Sequence, residues 1–154
     1  MLNEASLIEN EIRLRDLRLT KEVLETRRSI ARWLALSIGI INPGESRLSA
    51  IAVFDALLFF QFVKKIDPNV EQLKEYIKNN WQEINEKTLR YHLLRFKRMG
   101  LVENSQTKFY FKTPNIGDKY DTELWANNLF REEYNNIIVK VKEALNELKN
   151  KPSQ

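Results

Sequence analysis

Between Ile84 and Glu103 the chain reads INEKTLRYHLLRFKRMGLVE, and this stretch decides the fold. Asn85 offers a side-chain oxygen to the free N–H groups of a helix start. Leu89, Leu93 and Phe96 follow at steps of four and three, which gathers them on one helical face. Lys87, Arg90, Tyr91 and Arg98 recur on another face at steps of three, one and seven. Gly100 stands where a helix C-terminus favours a residue at ease with positive φ. The stretch predicts a capped helix over 86–99, one side in the core and the other carrying long basic and aromatic side chains.

Working outward, Leu101–Glu103 and Lys108–Lys112 (KFYFK) suit two short strands, with Asn104–Thr107 as the hairpin between them. Upstream, Arg47–Lys65 is apolar on most faces and predicts a central helix, with Ile51, Phe54, Leu57, Leu58 and Val63 in the core. Asp67-Pro68-Asn69 ends that helix and starts another over Val70–Asn80. Asn79–Ile84 connects it to the basic helix, with Trp81 expected to plug the core beneath the turn.

The order Ile84, Asn85, Thr88, Leu89, Arg90, Tyr91, His92, Leu93, Phe96, Gly100, Leu101, Val102, Glu103 resembles the recognition helix and strand entry of winged helix-turn-helix proteins, the MarR and ArsR type regulators in particular. The similarity covers about residues 47–112, and its connection before the basic helix is a few residues longer than in simple helix-turn-helix units. It implies a mainly α fold: a winged helix-turn-helix with a short two-stranded wing and long N- and C-terminal helices. Winged helices also serve as protein-interaction modules.

Charge points the same way. The net charge is +4, yet residues 85–112 carry seven basic side chains and two acids, net +5, leaving 18 basic and 19 acidic residues, or −1, in the remainder. The basic excess thus falls on the expected recognition helix and wing, as attraction to a phosphate backbone requires. With no cysteine and one histidine, disulfide frameworks, zinc sites and thiol catalysis are all but excluded. The apolar runs 33–41 and 51–63 fall short of the ~20 residues of a spanning helix. A cytoplasmic protein with no membrane partner is expected.

The flanks are read as helical. Ile8, Ile12, Leu19, Val23, Ile30 and Trp33 form an interrupted stripe over residues 3–38, in one long helix or two, with Thr20 available to cap a second. This N-terminal extension, residues 1–42, is expected to pair with a second subunit or else fold back as a cover. Asn42–Ser46 is a turn by composition. Phe130, Tyr134, Ile137, Val141, Ala144 and Leu148 alternate at steps of four and three within a helix expected over Glu123–Lys149, capped by Asp121 or Thr122. That is a coiled-coil seam, and residues 122–150 are a second expected dimerisation element.

No catalytic constellation stands out. His92 has no partner histidine, the four glycines are isolated, and no metal-ligand set exists, so neither enzyme activity nor a cofactor or metal is expected. The resemblance instead implies a homodimeric regulator of transcription that binds double-stranded DNA, with helix 86–99 entering the major groove by its N-terminal half. Lys87, Arg90 and Tyr91 would reach base edges or nearby phosphates, Arg90 being best suited to a bidentate guanine contact. Asn85 and Thr88 would touch phosphate at the helix start, and Arg95, Arg98 and Lys108 would supply backbone charge. Leu94 shares the basic face, where the family is usually polar. That raises the alternative of a winged-helix interaction subunit in a nucleic-acid-processing complex, with single-strand binding by the KFYFK aromatics a weaker third reading.

Overall fold

The computed structural model describes residues 3–153, which form two compact units: Arg13–Leu129, and a smaller one from Phe130 onward together with the N-terminal residues up to Ile12. The chain is mainly helical with one two-stranded antiparallel sheet. Among the described residues, no helix is long and apolar enough to cross a membrane.

In the larger unit, α1 (Arg27–Ser37) begins at Thr26, whose side chain accepts from the Ser29 N–H. α2 (Leu48–Leu58) is buried from Ala50 to Leu58 and is the member the others pack around. It runs on as a π-helical segment, Phe59–Lys64, and stops at Lys65 in the left-handed region. Val63, expected in the core, is exposed instead, while Gln61 is buried. The wider i→i+5 turn re-aims the faces of this segment. Gln61 turns inward because both ends of its amide are used: it donates to the Lys119 carbonyl and accepts from the Phe111 N–H.

α3 (Val70–Asn80) starts from a capping box in which Asn69 and Gln72 satisfy each other's backbone N–H groups. α4 (Glu86–Arg98) has the expected Asn85 cap, which accepts from Thr88 N–H at 2.8 Å. It ends with Gly100 at φ 77°, where Leu101 N–H reaches Phe96 O and Gly100 N–H reaches Lys97 O. This closing pair of bonds uses the carbonyls that a helix end leaves free. β1 (Val102–Ser105) and β2 (Lys108–Phe111) pair from Val102↔Phe111 to Ser105↔Lys108. The connection is therefore a two-residue turn, Gln106-Thr107, not the four-residue loop expected, because Asn104 and Ser105 keep strand pairing. Phe54, Phe96 and Phe111 meet edge to face at the centre, with ring separations of 6.4 and 5.8 Å. This joins α2, α4 and the hairpin in one core.

Of the helical extension expected over residues 3–38, in one piece or two, the later part forms as α1 from Arg27 and the earlier part does not. Among the described residues before α1, Glu4–Leu7 and Val23–Glu25 make short 3₁₀ turns and residues 8–20 are irregular. Instead of folding on itself, Arg15 closes the C-terminus of α1. Its N–H donates to Ser37 O, its carbonyl accepts from the Ser37 hydroxyl, and its guanidinium reaches the carbonyls of Leu36 and Ile41. Thr20 accepts from Val23 N–H and serves a turn, not a helix.

The expected helix over 123–149 is likewise broken. α5 (Thr122–Asn127), capped by Asp121, pins Trp125 against Phe111 at 4.7 Å and Phe62 at 5.5 Å. The Asn127-Asn128 pair favours helix weakly, and Phe130 adopts φ 55°. In the smaller unit, α6 (Arg131–Leu148) has 18 residues, about 27 Å at ~1.5 Å per residue. Val139, Val141, Leu145 and Leu148 are exposed along it, and Lys140 pairs with Glu9.

Candidate nucleic-acid interface

α4 supplies the most distinctive surface, and its geometry follows from which side of it is committed to packing. Leu89, Leu93 and Phe96 are buried, as their spacing predicts. The opposite side carries Lys87, Arg90, Tyr91, Leu94 and Arg98, all exposed. Tyr91 is 56% exposed and Leu94 47%, so no described segment of the larger unit buries either. Arg90 is braced by Glu86 one turn back, Nε to Oε2 at 3.1 Å. That bond is solvent-facing and weak, and it holds the guanidinium out along the ridge while offsetting part of its charge.

The other expected site residues are placed differently. Asn85 is exposed, but its oxygen is engaged in capping, as is the Thr88 N–H that it accepts. Arg95 leaves the ridge and donates to the Ile40 carbonyl. Lys108 lies exposed on β2, opposite Ser105. The fold thus gathers Lys87, Arg90, Tyr91 and Arg98 on one face and sets Arg95 and Lys108 off it.

Two flanks bound the ridge. Lys97 donates to Asn104 of the hairpin at 2.8 Å. On the other side, His92 Nε2 meets Ser49 Oγ at 3.0 Å and Arg95 reaches Ile40. At ~100° per residue, positions 95 and 97 point about 200° apart around the helix. The hairpin therefore borders one flank of the ridge, and the segment from Ile40 into α2 borders the other.

The platform below is held by buried polar groups that periodicity could not reveal. Asp55, 2% exposed on α2, accepts from the Tyr76 hydroxyl at 2.7 Å and from Trp81 Nε1 at 2.9 Å. Arg27 Nε lies 2.7 Å from Asp55 Oδ1 while directing its N–H towards the Tyr76 hydroxyl, so that contact is electrostatic and not a hydrogen bond. Burial, then the Asp55 carboxylate, pushes the Tyr76 phenol up to about 12. Trp81, expected as an apolar plug, is a donor to this acid, and the Arg28 guanidinium covers its ring at 4.1 Å. His92 is 2% exposed with Nδ1 unpartnered. Burial, then the charges of Arg95 and Arg47, lowers it to about 4, so it is neutral at physiological pH and serves as packing.

Sequence reasoning missed three arginines on the elements that border this flank: Arg28 lines the cleft beside Ser49, Arg32 donates to the Glu45 carbonyl, and Arg47 precedes α2 within electrostatic reach of His92. The available signal was Arg28 and Arg32 at i and i+4, one face of a helix.

Compared with known proteins, the chain matches no family model, no curated protein and no solved structure.

Proposed function

We propose that this chain is a homodimeric regulator of transcription that binds double-stranded DNA, with residues 47–112 as a winged helix and α4 as its recognition helix. Three packed helices followed directly by a hairpin support the fold reading. The observation that carries the function is the ridge: three cations and a tyrosine stand exposed on one face of a capped helix whose opposite face is core. A helix of that diameter fits the major groove. Lys87, Arg90 and Tyr91 reach base edges from the first half of α4, and Arg98 and Lys108 neutralise phosphates. The exposed apolar row on α6 supports pairing of two copies and hence a roughly palindromic site.

Binding of labelled duplexes, followed by anisotropy against salt concentration, tests this. Affinity should fall with a log–log slope of about −0.9 per phosphate contacted. Arg90→Ala should cost roughly 1–3 kcal/mol and relax the preferred sequence, and Arg98→Ala should weaken all sequences alike. No salt-dependent duplex binding by the wild type would end the proposal.

One observation favours a second reading. Leu94 and Tyr91 place apolar surface in the middle of the ridge, which suits a winged helix that docks on protein within a nucleic-acid-processing complex. Retained partner binding alongside duplex affinity indifferent to both arginine substitutions would select it.

A further inference from the structure

We infer that the corner formed by Arg28, Arg32, Arg47 and Arg95, beside α4, is a second anchorage for the sugar-phosphate backbone of the duplex. This rests on the duplex-binding proposal and extends it from Arg95 of α4 to three residues outside the helix and hairpin.

Three of these guanidiniums are held in place by backbone carbonyls and not by carboxylates. Arg28 donates to Asn80 O at 2.7 Å, Arg32 to Glu45 O at 3.0 Å, and Arg95 to Ile40 O. A carbonyl fixes the geometry of a guanidinium without cancelling its charge. The Arg28 guanidinium also lies over the Trp81 ring, 4.1 Å from its centroid. Arg47, the residue before α2, is exposed. None of the four forms an ion pair among the described residues. The acids of the adjoining segments are otherwise engaged or turned to solvent: Glu45 accepts from the Asn42 amide, Glu86 braces Arg90, and Glu83 is exposed.

Position decides the partner. When a helix lies in the major groove, the two phosphate walls run along its flanks. The hairpin occupies one flank of the α4 ridge. The arginine corner occupies the other, where Arg95 and His92 tie α4 to Ile40 and Ser49. A cleft of about 380 Å³ opens there, between Arg28, Ser46, Ser49, Trp81, Gln82 and Ile84, with hydroxyl, amide and guanidinium donors on its walls. Fixed cations lose little freedom when a phosphate arrives, so this flank is built as the stronger wall of the two.

Arg47→Ala is the cleanest test, since the Arg47 side chain makes no hydrogen bond or ion pair among the described residues, and Arg28→Gln is a companion that retains a donor for Asn80 O. The full-length chain is titrated with a mixed-sequence labelled duplex between about 50 and 200 mM salt. Arg47→Ala should weaken every duplex roughly threefold and reduce the salt slope by about 0.9, and the double variant should reduce it by about twice that. Wild-type affinity and slope in both variants, or weakened binding with an unchanged slope, overturns the corner. If Arg90→Ala still relaxes sequence preference in that case, the function proposal stands without it. If the wild-type chain binds no duplex, both fall.

Discussion

Removing the Asp55 carboxylate perturbs the platform of α4 most directly. In Asp55→Ala, the Tyr76 hydroxyl and Trp81 Nε1 both lose their acceptor. Tyr76 is buried, so its stranded hydroxyl carries most of the desolvation penalty of about 1–3 kcal/mol for an unsatisfied group. Trp81 is only half-buried and recovers part of its loss through water. Arg27, whose side chain is 44% exposed, also turns to solvent. The 3–5 kcal/mol typical of a broken, fully buried pair therefore does not apply to it. The total comes to roughly 2–4 kcal/mol. Asp55→Asn keeps one acceptor oxygen and should cost about half as much. Urea unfolding followed by circular dichroism measures both, and a change of slope would flag altered compactness. Asp55→Ala within about 1 kcal/mol of wild type, or no more costly than Asp55→Asn, would refute the view that this acid organises Arg27, Tyr76 and Trp81.

Three further outcomes are expected. His92 takes up a proton near pH 4 in the fold and near 6.5 when unfolded. The unfolded chain therefore binds more protons across that window, and stability rises with pH from about 4 to 6.5 and is lost on acidification, by up to about 3 kcal/mol from this group. His92→Gln should flatten that part of a pH series of urea midpoints, and an unaltered profile would contradict the burial described. Gly100→Ala should cost about 1–2 kcal/mol in the same assay because the left-handed φ is retained, and a neutral result would mean that the helix end relaxes. Val141→Lys with Leu145→Lys should convert a dimer to a monomer in sedimentation equilibrium, whereas an unchanged dimer would remove α6 from that role.

Much of the platform was legible because its cues are local. Asn85, Asn69 and Gly100 each act within four residues of themselves, and the period of Leu89, Leu93 and Phe96 marks a core face directly. The ridge followed by subtraction, since a helix with one committed face exposes the other. What escaped depends on neighbours distant in sequence. Arg95 sits within a basic run and reads as solvent-facing, yet it reaches a carbonyl 55 residues away. Asp55 reads as an interruption in an apolar helix, and its partners come from three other places in the chain. Val63 was misplaced because the π-helical segment breaks the period on which its assignment rested.

The failed N-terminal helix bears on function as well as prediction. A helix over residues 8–20 would need an apolar face to bury, but Leu14 and Leu19 remain exposed in the structure. Opposing that weak gain, α1 ends with carbonyls that require donors and with a partial negative charge that favours cations. Arg15 supplies both, so the segment is worth more as an extended brace on α1 than as a helix of its own. The same preference recurs at Arg28, Arg32 and Arg95, where guanidiniums bond carbonyls at the ends of helices or in the segments that follow them. Each such bond braces the fold, and none of these three arginines forms an ion pair among the described residues. Replacing these arginines with lysines would keep the charge and lose the fixed geometry. A chain with both Arg28→Lys and Arg32→Lys should therefore keep its salt slope while binding duplex more weakly, as measured by anisotropy. Full affinity in that variant would show that charge alone suffices and that the carbonyl anchoring serves folding only.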